Sequence, residues 1–137
     1  MFKVRLLNDS DYDQLIGWWK FWRFGAPPKE CLPEDGKCGL MITKDGIDIC
    51  AGFIYFTNSK IAWIEFIVSN PEYKAKDRQN AIEILITELS NIIRNRNCHI
   101  VFTSLKNENL INRFESCGFT KGSSGTTEMI LNVKAPD

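Results

Sequence analysis

Apolar residues follow two different spacings along the chain, and polar turn residues separate the segments. Short runs that are apolar throughout, or that alternate with polar residues, predict strands. These strands cover residues 2–7, 40–43, 47–57, 60–69 and 99–104, the last of them buried, and a hairpin-like pair covers 119–121 and 127–133. The Asp45-Gly46 dipeptide between the second and third runs predicts a tight hairpin turn.

Three other segments have apolar residues at helical spacing. The first begins after Asp9 or Ser10 and runs to about residue 23, with Ser10 and Asp13 at the spacing of a capping box. Its predicted buried stripe consists of Tyr12, Leu15, Ile16, Trp19 and Trp22. The other helices cover residues 75–95 and 107–117, and Gly118 is suited to end the second of these.

This order of elements predicts a single domain of the α/β (α+β) class over residues 1–137. A three-strand antiparallel meander is followed by a strand–helix–strand crossover, so we expect a mixed, mostly antiparallel sheet with helices on both faces. The strands near 60–68 and 99–104 should be parallel neighbours. They should splay apart at their carboxyl ends, because Asn70-Pro71 terminates pairing, and a ligand can enter that gap.

Charge and composition argue against several classes of function. Lys and Arg together number 17, as do Asp and Glu, and this balance argues against a nonspecific nucleic-acid or membrane-surface binder. No apolar run approaches the roughly 20 residues of a membrane span and no signal peptide opens the chain, so we expect a cytoplasmic protein. An odd number of cysteines, 5, favours reduced thiols over disulfides, and a single histidine without a C-x-x-C pair argues against a zinc site.

Residues 69–83, SNPEYKAKDRQNAIE, lie where a strand passes through a short loop into a helix. Lys74, Lys76 and Arg78 place three basic side chains at alternate positions, and a helix N-terminus offers backbone N–H groups to an anion. A phosphate-binding loop usually contains glycine, and this one has none. The alternative is a solvated first helical turn whose charges face water.

Two stretches resemble motifs of the GCN5-related N-acetyltransferases (GNATs), a family of acetyl-CoA-dependent acyltransferases. The stretch FIVSNPEYKAKDRQNAIEIL resembles the acetyl-CoA motif, in which a strand precedes x-x-Pro-x-Tyr and R/Q-x-x-G-x-G/A. The stretch NENLINRFESCGF resembles the later motif Asn-x-x-Ala-x-x-x-Tyr-x-x-x-Gly-Phe. Together with the element order, the resemblance covers most of the chain.

The resemblance implies a binding site for acetyl-CoA as co-substrate. The residues that match the two motifs, or lie beside the matches, are Ile67, Val68, Lys74, Lys76, Asp77, Arg78, Gln79, Asn80, Asn107 and Phe114. The sequence departs from the motifs at four of them: Lys74 stands where the family has Arg or Gln, Asp77 and Gln79 stand where it has glycine, and Phe114 stands where it has tyrosine. Asp77 would repel a phosphate, and Gln79 adds bulk where the backbone should approach it.

The family's chemistry is direct attack of an amine on the thioester carbonyl, assisted by a general base. Glu65 is the only carboxylate in the strand WIEFIV and is our candidate for this base. The alternative places Glu65 on a solvated face of the sheet. Phe114 lacks the proton donor that the family's tyrosine often supplies to the leaving thiolate.

Two functions follow for a chain that we expect to be a monomer or a homodimer. The first is transfer of an acetyl group from acetyl-CoA to an amine on a small molecule or a protein. The alternative is a catalytically inactive module on the same scaffold, which acts in protein binding or assembly. The aromatic residues within GWWKFWRFGAPP, residues 17–28, form either core clusters or a wall for the acceptor or a partner.

Overall fold

The structure is a computed structural model that describes residues 1–134. A five-stranded sheet has the order β1-β2-β3-β4-β5. The strands are β1 (Phe2–Leu6), β2 (Gly39–Lys44), β3 (Ile47–Phe56), β4 (Ile61–Ser69) and β5 (Ile100–Phe102). The helices are α1 (Asp11–Phe21), α2 (Arg78–Asn95) and α3 (Glu108–Ser116), and two short 3₁₀ turns (Lys29–Cys31 and Pro33–Gly36) lie before β2.

The first four strands form an antiparallel meander, as predicted. Asp45 and Gly46 join β2 to β3 with φ angles of 52° and 76°. Two successive positive φ values are the geometry of the hairpin turn whose twist matches the flanking strands, which is why Asp-Gly occurs there.

The predicted parallel pair is confirmed, and the two strands separate earlier than expected. β4 and β5 pair only from Ile61 with Ile100 to Trp63 with Phe102. β4 then continues to Ser69, so its later half has no partner on this side within the described residues. Asn70-Pro71 is not the cause of the gap, because pairing with β5 already ends at Trp63, well before the end of β4.

One extra residue in β4 reverses the direction of its side chains. Phe53 pairs with Glu65 and Ala51 pairs with Val68, so two steps along β3 correspond to three along β4. Phe66 lies in this bulge with a φ of 59°, a conformation that non-glycine residues seldom adopt. Glu65 and Phe66 therefore both lie on one side of the sheet, and Ile67 lies on the other.

Helices cover both faces of the sheet, as predicted. The larger core lies under α2 and α3, where α2 contributes Ala81, Leu85, Ile86, Leu89 and Ile93. The second core lies under α1 and contains Leu15, Trp18, Trp19, Phe53 and Val68. None of the helices in residues 1–134 is long and apolar enough to cross a membrane.

The start and the buried face of α1 differ from the prediction. Ser10 occupies the N-cap position, but its side chain makes no capping hydrogen bond and its hydroxyl donates to Asn8 Oδ1 at 2.6 Å. The predicted capping box is therefore wrong. Trp18 is buried, whereas Trp22, which was predicted to be buried, is exposed and follows the last residue of α1.

The carboxyl-terminal part of the chain also differs from the prediction. β5 has three residues rather than six, and Ile100 and Phe102 are exposed instead of buried. Residues 119–134 contain no strand, although their apolar pattern predicted a pair. An alternating pattern forms a strand only where it pairs with a neighbour, and within the described residues this segment pairs with none. The last three residues of the predicted domain lie outside the described part.

We predict that Gly39→Ala lowers the free energy of unfolding by about 1–3 kcal/mol, the usual cost of overpacking. A Cβ at Gly39 would collide with the backbone carbonyl oxygen of Gly52, which cannot turn aside as a side chain can. Gly17→Ala is the control, because open space surrounds Gly17 on α1 and alanine should add about 0.5–1 kcal/mol there. Urea unfolding measures both, and equal effects would contradict the close strand approach.

Candidate functional site

The site begins where β4 and β5 separate. The Thr103 hydroxyl donates to the Ile64 carbonyl at 2.7 Å, and the Ser104 backbone N–H donates to Glu65 Oε1 at 3.1 Å. These two bonds replace the strand pairing that has ended at Phe102. They hold the Glu65 carboxylate at the mouth of the gap.

Glu65 is a half-buried carboxylate without an ion-pair partner among the described residues. Burial raises its pKa to about 7, the charge of Glu128 adds to that rise, and the hydrogen bond from Ser104 opposes it. A carboxylate with a pKa close to neutrality exchanges protons readily at physiological pH, as a general base must. The predicted alternative of a freely solvated Glu65 does not match this burial.

Ile67 and Val68 lie in the stretch of β4 that has no β5 partner. Their side chains point away from the gap into the two cores: Ile67 packs on the α2 side and Val68 on the α1 side. Only their backbone groups are left to face a molecule in the gap. Their predicted part in coenzyme A binding is therefore limited to the backbone.

The carboxylate of Asp77, which was expected to repel a phosphate, has two partners. Lys44 Nζ donates to Asp77 Oδ2 at 2.6 Å, and the Tyr73 hydroxyl donates to Oδ1 at 2.7 Å. The hydrogen bond from Lys44, followed by that from Tyr73, lowers the pKa of Asp77, and the same contact raises the pKa of Lys44. Asp77 is thus ionised and neutralised by Lys44, at the position where the family has glycine.

The three predicted basic residues differ in their surroundings. Lys74 and Lys76 are exposed, and neither forms an ion pair within residues 1–134. The Arg78 guanidinium instead lies over the Trp22 ring, with its Cζ atom 5.7 Å from the ring centre. The Trp22 indole N–H donates to the Ser69 carbonyl at 2.9 Å, so Arg78 and Trp22 together join α1 to the end of β4.

Gln79 and Asn80 are in the first turn of α2, where backbone N–H groups have no intrahelical acceptor. The Gln79 side-chain oxygen accepts a hydrogen bond from Arg113 on α3 at 3.4 Å, and Asn80 lines a shallow groove of about 350 Å³ between α2 and α3. Both side chains are thus directed toward α3. The bulk of Gln79 does not cover the first amides of the helix.

Asn107 and Phe114, at the start of α3 and within it, differ in exposure: Asn107 is exposed, so its predicted part in binding stays a prediction, and Phe114 is buried. Asn107 caps the helix, since its Oδ1 accepts from the Leu110 N–H at 3.0 Å. Phe114 is 2% exposed and packs edge-on against Phe119 with ring centres 4.9 Å apart. A ring this deep in the core cannot contact coenzyme A, so this part of the prediction is corrected.

Lys44, Tyr73, Thr103 and Ser104 were not predicted. Thr103 and Ser104 follow a parallel strand directly, and the carboxyl ends of neighbouring parallel strands meet at one edge, so this signal was available. Lys44 gave no such signal, because it reaches Asp77 from a strand 33 positions earlier in the sequence.

The chain is similar to known proteins in structure but not in sequence. No protein-family profile matches the chain, and no curated protein matches its sequence. Among solved structures, the ribosomal-protein-S18-alanine N-acetyltransferase of Escherichia coli superposes with a TM-score of 0.72 at 16% identity, over 90% of this chain and 80% of that one. The chain has the GNAT fold.

Other structures with this fold are similar at comparable identity. Glucosamine-6-phosphate N-acetyltransferase from Arabidopsis thaliana gives a TM-score of 0.63 at 18% identity, over 94% of this chain and 98% of that one. N-acetylglutamate synthase from Neisseria gonorrhoeae, solved with coenzyme A and L-arginine, gives 0.72 at 15% identity, over 89% of this chain and 28% of that one. Identities this low establish the shared GNAT fold and leave the reaction to be argued from the site.

The raised pKa of Glu65 predicts a pH-dependent effect on stability. Between its ordinary value near 4.5 and about 7, the folded chain keeps a proton that the unfolded chain has released, so stability falls as pH rises through this window. Glu65→Gln removes that loss, and we expect it to raise the melting temperature more at pH 8 than at pH 5. Glu115→Gln changes an exposed carboxylate on α3 and should shift both temperatures equally. A Glu65→Gln effect independent of pH would contradict the burial of the charge.

Proposed function

We propose that this protein transfers an acetyl group from acetyl-CoA to an amine, with Glu65 as the general base. The observation that carries the proposal is the half-buried Glu65 carboxylate, without an ion pair in residues 1–134 and held by Ser104 where β4 and β5 separate. The GNAT fold supports the reaction class, since several structures that share it are N-acetyltransferases.

The reaction consists of deprotonation of the acceptor, followed by direct attack of the amine on the thioester. Ionised Glu65 takes a proton from the acceptor ammonium, and the free amine attacks the thioester carbonyl carbon. A C–N bond forms and the C–S bond breaks, and the second proton on nitrogen passes through solvent to the departing thiolate. A backbone N–H of Ile67 or Val68, in the unpaired stretch of β4, stabilises the oxyanion.

The start of α2 supports binding of the coenzyme A pyrophosphate without glycine. The Arg78 N–H donates to the Ala75 carbonyl at 3.2 Å, which leaves the N–H groups of Gln79 and Asn80 for an anion, and the side chains of these two residues are directed toward α3. Lys44 neutralises Asp77, and Lys74 and Lys76 add positive charge near the same end. The residues present therefore fit an anionic group, although the glycines of the family motif are absent.

The buried Phe114 means that no tyrosine protonates the leaving group from α3. A thiol has a pKa of about 8.5, so its thiolate leaves at an acceptable rate without a proton donor. The alternative function, an inactive module that binds other proteins, is favoured by the missing glycines and by Phe114. Acetyl-CoA binding and turnover separate these two functions.

We expect Glu65→Gln to lower kcat by about 10²-fold or more, the usual contribution of a general base, with acetyl-CoA affinity unchanged. Steady-state acetylation of a panel of amines measures kcat, and calorimetry measures the affinity. Glu115→Gln makes the same chemical change on an exposed part of α3 and should leave kcat as it is. Equal activity of the Glu65 variant and the parent would rule out Glu65 as the base.

We expect the double variant Lys74→Ala, Lys76→Ala to bind acetyl-CoA about tenfold more weakly at low salt, with a smaller difference at high salt because ions screen exposed charges. The control is Lys60→Ala, Arg94→Ala, which removes the same charge from the opposite ends of β4 and α2. Calorimetry at two ionic strengths measures the affinities of the parent and of both variants. If the parent does not bind acetyl-CoA at millimolar concentration, the inactive module becomes the better proposal.

A further inference from the structure

A row of aromatic residues crosses the sheet on the side of α1. Phe24 contacts Phe66 with ring centres 6.0 Å apart, and Phe66 lies 6.2 Å from Tyr55. Tyr55 pairs across the strands with Trp63, whose ring stacks on Phe102 at 5.1 Å. We call these five residues the aromatic row.

The aromatic row is open to solvent although its members are apolar. Phe24 is 50% exposed, Phe102 43% and Trp63 37%, while Tyr55 and Phe66 are half-buried. Single exposed apolar side chains are common on protein surfaces, but a contiguous set of this size marks a binding surface. The Trp19 ring of α1 lies 6.3 Å from Phe66, and the Tyr55 hydroxyl donates to the Cys31 carbonyl at 2.8 Å, so these two members are partly covered. Phe24, Trp63 and Phe102 stay exposed.

Glu65 interrupts the row at its centre. Trp63 and Glu65 are two residues apart on β4 and so share a face, and the bulge brings the Phe66 ring to the same face. The charge of Glu65 is close enough to Tyr55 to contribute to the raised pKa of its hydroxyl. One carboxylate therefore lies among aromatic rings, with no basic side chain paired to it in the described residues.

This combination selects a particular kind of amine. The ring faces attract an ammonium group and also pack against an apolar body, while Glu65 supplies the opposite charge. A polyamine or a basic peptide carries several separated positive charges and is best matched by several carboxylates, whereas within residues 1–134 the charge of one other carboxylate, Glu128, acts on Glu65. The rings flank Glu65 at one and two positions along β4, so the apolar body must lie close to the amine.

We propose that the acceptor is an arylalkylamine, a primary amine joined to an aromatic ring by a short alkyl chain. The inference rests on the proposed acetyl transfer, which it makes specific. The amine lies against Glu65, and the ring of the acceptor packs on Phe66 and Phe24. Phe21, which is 59% exposed and contacts Trp22 rather than the row, takes no part.

The test compares 2-phenylethylamine, butylamine and spermidine as acceptors with acetyl-CoA. We expect kcat/KM for 2-phenylethylamine to exceed that for either other amine by about tenfold or more, the scale of discrimination that apolar contacts provide. Phe24→Ala should lower kcat/KM for 2-phenylethylamine about tenfold, mainly by raising KM. It should leave kcat/KM for butylamine unchanged. Phe21→Ala also removes an exposed ring and is the matched control. It should change kcat/KM for neither amine.

Two results would overturn the inference while the proposed transfer stands. One is a preference for spermidine or butylamine over 2-phenylethylamine. The other is an equal effect of Phe24→Ala and Phe21→Ala, with Phe24→Leu and thermal unfolding used to confirm that the variants are folded.

Calorimetric binding of 2-phenylethylamine decides the case in which no amine is acetylated. Binding that Phe24→Ala weakens and Phe21→Ala does not would support the arylalkylamine site and overturn the transfer reaction alone. Absence of binding would overturn both.

Discussion

The site depends on one backbone constraint, the extra residue that β4 carries at Phe66. A strand with strict alternation would place Phe66 on the α2 side and Val68 with it. The bulge instead brings the Phe66 ring beside Glu65 and returns Val68 to the core under α1. The positive φ of Phe66 carries a conformational cost, and such costs concentrate at functional positions. The contact between the aromatic row and Glu65 through Phe66 depends on this one residue.

Two carboxylates near the site have opposite electrostatic environments. Asp77 has Lys44 and Tyr73 as partners, and its pKa is lowered. Glu65 has a single backbone donor and lies among rings, and its pKa is raised. A carboxylate with charged partners and a lowered pKa is typical of a structural contact. A carboxylate without such a partner and with a raised pKa is typical of a reactive position. Asp77 therefore fixes the start of α2, and Glu65 is left available for a proton.

Local chemistry could be predicted from the sequence, and contacts between distant residues could not. Asp45-Gly46 specifies its turn through allowed backbone angles, and the crossover order predicts the parallel pair. Glu65 was recognised because a lone carboxylate in an apolar strand needs an explanation. The bulge at Phe66 could not be predicted from the residue type, because phenylalanine does not favour positive φ. The burial of Phe114 was missed because its motif position suggested a ligand, while its helical face turns toward the core.

The contact of Asp77 with Lys44 and Tyr73 also affects the order of the loop before α2. Glycine lets a loop adopt many conformations, and a ligand must restrict them when it binds. Here side chains, including the Arg78 guanidinium over Trp22, hold the loop in one arrangement. An anion that binds at the start of α2 meets a preorganised loop, so less conformational entropy is lost on binding than in a flexible one. In the proposed acetyl-CoA site, the rigid loop thus contributes to affinity by lowering the entropy cost of binding. In a glycine-rich loop, the contribution comes from close approach of the backbone to the anion.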